Sequence, residues 1–445
     1  MEQILYNYTP IHPTTWVYLS SLLTIAIYFK FSRVWSVRNL DLLGLIALAP
    51  GLLMIEPQHD AMVNQIGYVW LFATGGFFAI RLLMDPMMVR RPLLEPNLSA
   101  DGLTFATISL LIFLMVNVVT RKPTDADLDG ARRLDEMLSR TATAETDASL
   151  ATHGPGYPLM HVFAGVASKI LVKPEEANPE DDGRLRIYIA TARTTAILSH
   201  LAVVLGMVMI GARHFGSVRT GVAAANLYLL LPYTAQQTGR VDHVLPAALI
   251  VWAVYAYRRP LVSGMLLGLA TGVIYYPIFL LPLWLGFYWH RGLLRFSVGF
   301  LSMVTLLIGT LFLTEGGFEA FLAHARQMFG WASLAENNVT GFWSFFESAT
   351  PFRLSVLATY AALCASFALW PAQKNLGTLL SCSAVVMLGT QFWIPQGGGL
   401  YMCWYLPLLL MTIFRPNLED RVALSVLGHG WLSHRKRQPA AIRAA

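Results

Sequence analysis

Between Trp16 and Phe414 apolar runs follow one another with almost no charge inside them. That pattern decides what the chain can fold into. A bilayer-crossing helix needs roughly 17–25 mostly apolar residues, and hydrocarbon admits only helices and closed barrels. The runs predict spans over 16–31, 39–56, 66–84, 103–120, 187–210, 220–237, 243–257, 261–276, 277–289, 296–314, 351–370, 376–394 and 399–414. The expected fold class is all-α: a polytopic membrane helix bundle of about thirteen spans. Composition agrees, because 55% of the 445 residues are apolar and 13% charged, about half the charge of a soluble domain. A disordered chain would be apolar-poor and charge-rich. The net charge of +6 sits mostly in short connections and the tail, so no nucleic-acid partner is expected. Cys364, Cys382 and Cys403 lie in apolar runs, which is neither a disulfide framework nor a metal cluster.

Loop charge orients the spans. Lys and Arg collect on the cytoplasmic side. With the N-terminus outside, the inner connections carry Lys30, Arg33 and Arg38; Arg81, Arg90 and Arg91; Arg213 and Arg219; Arg258 and Arg259; Arg291 and Arg295; and Lys374. The C-terminal tail, with Arg415, Arg421, Arg435, Lys436, Arg437 and Arg443, is also inner. The alternation holds only if 261–289 crosses twice with a reversal at Pro277, because both of its ends are basic. No basic residue precedes the first run and no small-residue cleavage site follows it. It reads as an anchor rather than a cleaved signal. The expected location is the plasma (inner) membrane, with the N-terminus outside and the C-terminus cytoplasmic.

Two outer connections are long, 121–186 and 315–350, and long loops carry function or disorder. The first holds twelve acidic and nine basic residues, a net acidity opposite to the inner connections. Within it Asp127 to Arg140 predicts a helix lying in the interface on Leu128, Ala131, Leu134 and Leu138. Thr124, Asp125, Asp127 and Asp129 stand at its start, where acidic groups suit a helix N-terminus. Capping and chemistry are both open for them. His153-Gly-Pro-Gly-Tyr157-Pro158-Leu159 then starts a second interfacial or re-entrant helix. The 315–350 loop carries an apolar face on Phe318, Phe321, Leu322, Ala325, Met328 and Phe329, then Trp331, Trp343, Phe345 and Phe346, which fits an aromatic belt.

Charge near membrane depth is concentrated in Gly239-Arg240-Val241-Asp242-His243. Ionisable groups there mark functional sites or snorkelling pairs. Gln391 and Gln396 are weaker instances. No phosphate-cradling loop, dinucleotide fingerprint, zinc-protease motif or nucleophile elbow occurs.

Three stretches resemble the GT-C superfamily of integral-membrane glycosyltransferases, and within it glycosyltransferase family 87, the polyprenyl-phosphate-sugar-dependent mannosyl- and arabinosyltransferase-like family. The first is Thr124-Asp125-Ala-Asp127-Leu-Asp129-Gly-Ala131, followed by the His153–Leu159 element. The second is Leu231-Pro232 leading into the Gly239–His243 stretch and on to Arg258 and Arg259. The third is Ser263-Gly264-Met-Leu-Leu-Gly268, running to Ile274, Tyr276 and Pro277. The likeness spans 103–415, with 1–102 as three additional N-terminal membrane helices and 416–445 as a basic cytoplasmic tail. Asp129 stands where the family pattern has Tyr, Leu159 where it has a second Pro, Arg240 and Asp242 where it has Gln and Asn, and Ile274 where it has Lys.

The resemblance implies transfer of a sugar from a polyprenyl-phosphate donor to a lipid, glycan or protein acceptor on the outer face. It implies a catalytic base at Asp125 or Asp127, and substrate binding by Arg240, Asp242, His153, Tyr157 and Tyr276. A divalent cation is compatible with the superfamily, but no ligand set is fixed by these residues. A transporter or flippase would place ionisable groups near midplane on broken helices, often in repeated halves. A non-catalytic GT-C-like scaffold is the other alternative.

Overall fold

The computed structural model describes residues 12–55, 59–88, 94–139, 153–171, 181–314, 339–346, 349–372 and 374–416. Among these the chain is helical, with no strand and an isolated bridge between Gly341 and Gly398. The helices are α1 (Pro13–Tyr28), α2 (Val37–Met54), α3 (Ala61–Leu83), α4 (Ala100–Thr120), α5 (Asp125–Ser139), α6 (Val162–Leu171), α7 (Asp181–Ile210) and α8 (Val218–Leu230). They continue as α9 (Val241–Tyr255), α10 (Pro260–Val273), α11 (Leu281–Tyr288), α12 (Leu293–Thr314), α13 (Ala349–Ser366), α14 (Leu376–Gly389) and α15 (Leu406–Phe414). Five stretches are long and apolar enough to cross a membrane: Val37–Met54, Ala61–Met87, Ala100–Thr120, Gly183–Phe215 and Leu293–Thr310. Shorter apolar helices of 10–17 residues accompany them.

Several expected spans are cut short, and proline is the main reason. Residue 231 precedes Pro232 and is forced out of the helical region, with ψ at 134°. The run expected to cross over 220–237 therefore stops at Leu230 and resumes as the short helix Pro232–Gln236. The expected 399–414 span is a 3-10 turn, Met402–Trp404, followed by α15 of 9 residues with Pro407 in its first turn. Starts follow local chemistry: Ser36, Ser99 and Ser217 cap their helices, and Asn375 forms a reciprocal capping box with Thr378.

The core is continuous from Tyr28 and Leu45 to Leu409, so the first three helices share it with the rest. Helix α8 is its axis, buried from Gly221 to Leu230, and it packs on α4, α7 and α15. The stripe Gly264, Gly268 and Gly272 lays α10 against α12. A Cβ at Gly264 would meet the Phe296 carbonyl, and one at Gly268 would lie 2.8 Å from the Phe300 carbonyl. Small residues at this spacing let membrane helices approach backbone to backbone. The third stretch read as a family element thus has a packing role of its own.

The connections sort to two ends of the bundle. At one end Lys30 donates to Asn97, and Arg219 donates to the Pro96 and Leu98 carbonyls. At that end also, Arg81 holds Asp41 and Asp85 while Arg415 holds Asp85 at 2.8 Å. Arg81 and Arg415, read from sequence as loop charges, are buried there in ion pairs. Tyr288 donates to the Tyr257 carbonyl at 2.7 Å. The chain therefore leaves and re-enters this end between 257 and 288, and residues 274–276 sit at the other end. At that other end 121–133, 153–161, 236–242, 274–276 and 394–404 meet. The reversal expected at Pro277 is present.

The expected helix at 127–140 is observed as α5, with Leu128, Ala131 and Leu134 buried; Leu138 is instead exposed. The HGPGYP element forms one helical turn, Gly156–Leu159, before α6. Its glycines permit close approach: Gly154 N–H donates to the Val273 carbonyl at 3.0 Å, and a Cβ at Gly156 would lie 2.9 Å from the Gly272 carbonyl. Phe163, Val166 and Ile170 form an exposed apolar stripe on α6, as an interfacial helix requires. The apolar face expected over 318–329, Trp331 and the tail arginines beyond 416 lie outside the described residues.

Candidate functional site

A cavity of about 400 Å³ opens where these connections meet. One wall is α5. Asp125, Asp129, Arg132 and Arg133 recur at helical spacing and all line the cavity. Asp127 is two residues from Asp125, roughly 200° around the helix, and lies away from the cavity. Its Oδ2 accepts the Thr124 N–H at 2.8 Å, which is the reach-back half of a capping box. Its other oxygen is buried beside Gly239, with no hydrogen-bond partner in the structure. Of the two aspartates left open by sequence, Asp125 is the one that faces the cavity. It is 98% exposed.

The opposite wall is the start of α9. Arg240 binds Asp242 through Nε to Oδ1 at 2.9 Å and Nη2 to Oδ2 at 2.6 Å, the fork geometry that only guanidinium provides. Burial lowers the Arg240 pKa, but the adjoining Asp242 carboxylate outweighs it and the net displacement is upward. Asp242 is held from its backbone too. Pro246 has no N–H to give the Asp242 carbonyl inside α9, and the Trp404 indole N–H donates to that carbonyl instead, at 3.1 Å. The proline in the helix and the tryptophan 162 positions away are one device that fixes the head of α9.

His153 stands between the walls. Its Nδ1 is 3.8 Å from Asp129 Oδ2, and its Nε2 is 3.7 Å from Asp242 Oδ2. Asp129 is also paired with Arg133, at 3.0 Å to Nε and 2.6 Å to Nη2. Tyr157 is buried and does not line the cavity; it stacks behind His153 at 4.4 Å and 16°. His161 supports Tyr157 in turn, with Nδ1–H donating to the Tyr157 carbonyl at 2.9 Å. Burial drives the His161 pKa down to about 4, so it is neutral at pH 7. Behind Asp242, His243 Nε2 lies 3.6 Å from the carboxylate, and His243 Nδ1 shares a 2.7 Å hydrogen bond with Tyr233. An aromatic wall of Tyr276, Tyr401 and Trp404 closes the remaining side.

The structure brings together Asp125, Arg240, Asp242, His153 and Tyr276 at one cavity, backed by Tyr157. Asp129, left open by sequence between capping and chemistry, joins the cavity, and so do Arg132 and Arg133, which sequence reasoning passed over. Their signal was available: i+4, i+7 and i+8 spacing from Asp125 on an amphipathic helix. Tyr401 and Trp404 had no such signal. Gln391 accepts the Gly399 and Tyr401 N–H groups and shapes the 397–401 turn, and Gln396 lines the cavity. Among the described residues no group of three His, Cys, Asp or Glu is arranged to hold a metal ion.

The cavity offers arginines to an anion and carboxylates to a proton, beside the flat aromatic surfaces of Tyr276, Tyr401 and Trp404. No protein-family model, curated protein or solved structure matches this chain.

Proposed function

We propose that the chain is an integral-membrane glycosyltransferase that moves a sugar from a polyprenyl-phosphate donor to an acceptor hydroxyl in the cavity between α5 and α9. The observation that carries this reading is the juxtaposition, at one end of an apolar helix bundle, of Asp125 with arginines and an aromatic wall. In the reaction the acceptor oxygen bonds to the anomeric carbon. The anomeric carbon–phosphate oxygen bond breaks, its electron pair leaves with the polyprenyl phosphate, and the hydroxyl proton passes to Asp125. A positioned carboxylate is the general base such a step needs. The Arg240–Asp242 pair, His153 and Tyr276 shape the substrate space, and Tyr157 sets the His153 ring from behind.

The cavity belongs to the outer face of the plasma membrane. The support is the alternation of basic and acidic connections, together with their sorting to two ends of the bundle. The place of the cavity's ionisable groups at the starts of α5 and α9, in a chain without repeated halves, favours this reading over transport.

The test is release of polyprenyl phosphate from polyprenyl-phosphate sugars by the purified protein in lipid nanodiscs. Asp125→Asn should lower turnover about 10²–10⁴-fold with an unchanged melting profile. Asp127→Asn should keep turnover and cost about 0.5–2 kcal/mol of stability through its capping role. Parent-rate turnover in Asp125→Asn would remove the catalytic assignment.

A further inference from the structure

The cavity holds three arginines, and their states differ. Arg133 is 9% exposed and engaged through two nitrogens by Asp129. Arg240 is 26% exposed and engaged through two nitrogens by Asp242. Each of these two guanidinium groups commits its Nε–Nη2 edge to a carboxylate and keeps only its Nη1 side for another partner. Arg132 is different. It is 44% exposed, and its carboxylate contact is Asp125 at 3.8 Å, beyond hydrogen-bond distance. A loose pair between groups this exposed is weak.

Resting on the glycosyl-transfer reading above, we propose that Asp125 and Arg132 are a displaceable pair. The donor phosphate takes Arg132, and the Asp125 carboxylate, released from it, becomes the base for the acceptor hydroxyl. One guanidinium thereby couples donor binding to arming of the base. The resting pair keeps the cavity rim neutral until an anion arrives. Arg240, the obvious phosphate ligand from sequence, instead positions Asp242 and through it His153. The balance is that of the transfer step: Arg132 neutralises the phosphate before and after the carbon–oxygen bond breaks, and the proton ends on Asp125.

The pair makes opposite demands on its two members. Removing Arg132 takes away the phosphate's fork. Removing the Asp125 charge takes away the phosphate's competitor. Arg132→Gln should weaken binding of decyl phosphate to the nanodisc-embedded protein by about ten-fold or more, and Arg132→Lys should recover part of that loss, because an ammonium is a point charge. Asp125→Asn should tighten decyl phosphate roughly two- to five-fold while it slows transfer about 10²–10⁴-fold, so that the apparent donor KM falls together with kcat. Calorimetric titration reads the binding arm. Decanol controls for the chain alone, and inorganic phosphate for the head alone.

Equal decyl phosphate affinity in wild type and Arg132→Gln, or weaker binding in Asp125→Asn, overturns the proposal. Inorganic phosphate binding as tightly as decyl phosphate, with the same Arg132 dependence, overturns its assignment to a lipid phosphate. The binding arm needs no turnover. If no sugar is transferred while decyl phosphate binds with these Arg132 and Asp125 dependences, the transfer reading fails and the displaceable pair stands. Arg132 and Asp125 are exposed, so both variants are expected to fold; a wild-type melting profile checks this.

Discussion

Asp242→Asn is the most informative single change outside α5. The side chain keeps its shape, and its negative charge disappears opposite Arg240. In the parent, Asp242 accepts from Arg240 Nε at 2.9 Å and Nη2 at 2.6 Å, with His243 3.6 Å and His153 3.7 Å away. Asparagine offers one acceptor oxygen, so its amide N–H₂ must face another donor. Arg240 keeps its charge and loses its counterion. Breaking a fully buried pair costs about 3–5 kcal/mol. Arg240 is 26% exposed, and solvent reduces that to about 2–3 kcal/mol. Arg240→Gln strands Asp242 instead, which is 4% exposed, and should cost at least as much. Removing both leaves two neutral amides able to pair, so the double variant should be less destabilised than the two singles added together. A double-mutant cycle on thermal unfolding in nanodiscs should therefore return a coupling of about 2–3 kcal/mol. Additive singles, with coupling near zero, would show that the pair does not hold the head of α9 and would withdraw the positioning role assigned to Arg240.

Three further outcomes are expected. His161 has a folded-state pKa of about 4 against 6.5 when unfolded, because burial disfavours its charged form. Its contribution is therefore present above pH 6.5 and is lost as pH falls towards 4, by about 3 kcal/mol. His161→Gln should flatten the acid limb of the stability curve, and an unchanged slope would contradict the burial argument. Gly264→Ala should destabilise by about 1–3 kcal/mol, since its Cβ meets the Phe296 carbonyl, whereas Gly76→Ala meets nothing within 4 Å and should be neutral or stabilising; equal melting shifts would refute the close α10–α12 contact. All three native cysteines are buried, so Ser139→Cys should react with an impermeant maleimide on intact cells; protection until the membrane is broken would reverse the proposed orientation.

What sequence alone determined here follows from solvent. Scarce charge and long apolar runs leave helices as the one economical way to bury backbone in hydrocarbon, and the all-α character of the described residues was legible from that. So were the reversal at Pro277, forced by basic residues at both ends of 261–289, and the helix after Thr124. The cavity was legible in part. Asp125, Arg240, Asp242, His153 and Tyr276 stood out because polar groups beside membrane-length apolar runs are conspicuous. Which carboxylate faced inward was not resolved by type or position. It was set by the 100° step of α5, which turns Asp125 and Asp129 to the cavity and Asp127 to Gly239. The arginine pairs are local: Asp129 lies one helical turn before Arg133, and Asp242 lies two residues after Arg240. Tertiary structure decided that both pairs line one cavity, and it alone supplied Trp404, whose indole completes a hydrogen bond that Pro246 cannot make. Local sequence specifies periodicity and breaks; only packing brings residues 125, 153, 242 and 404 to one cavity.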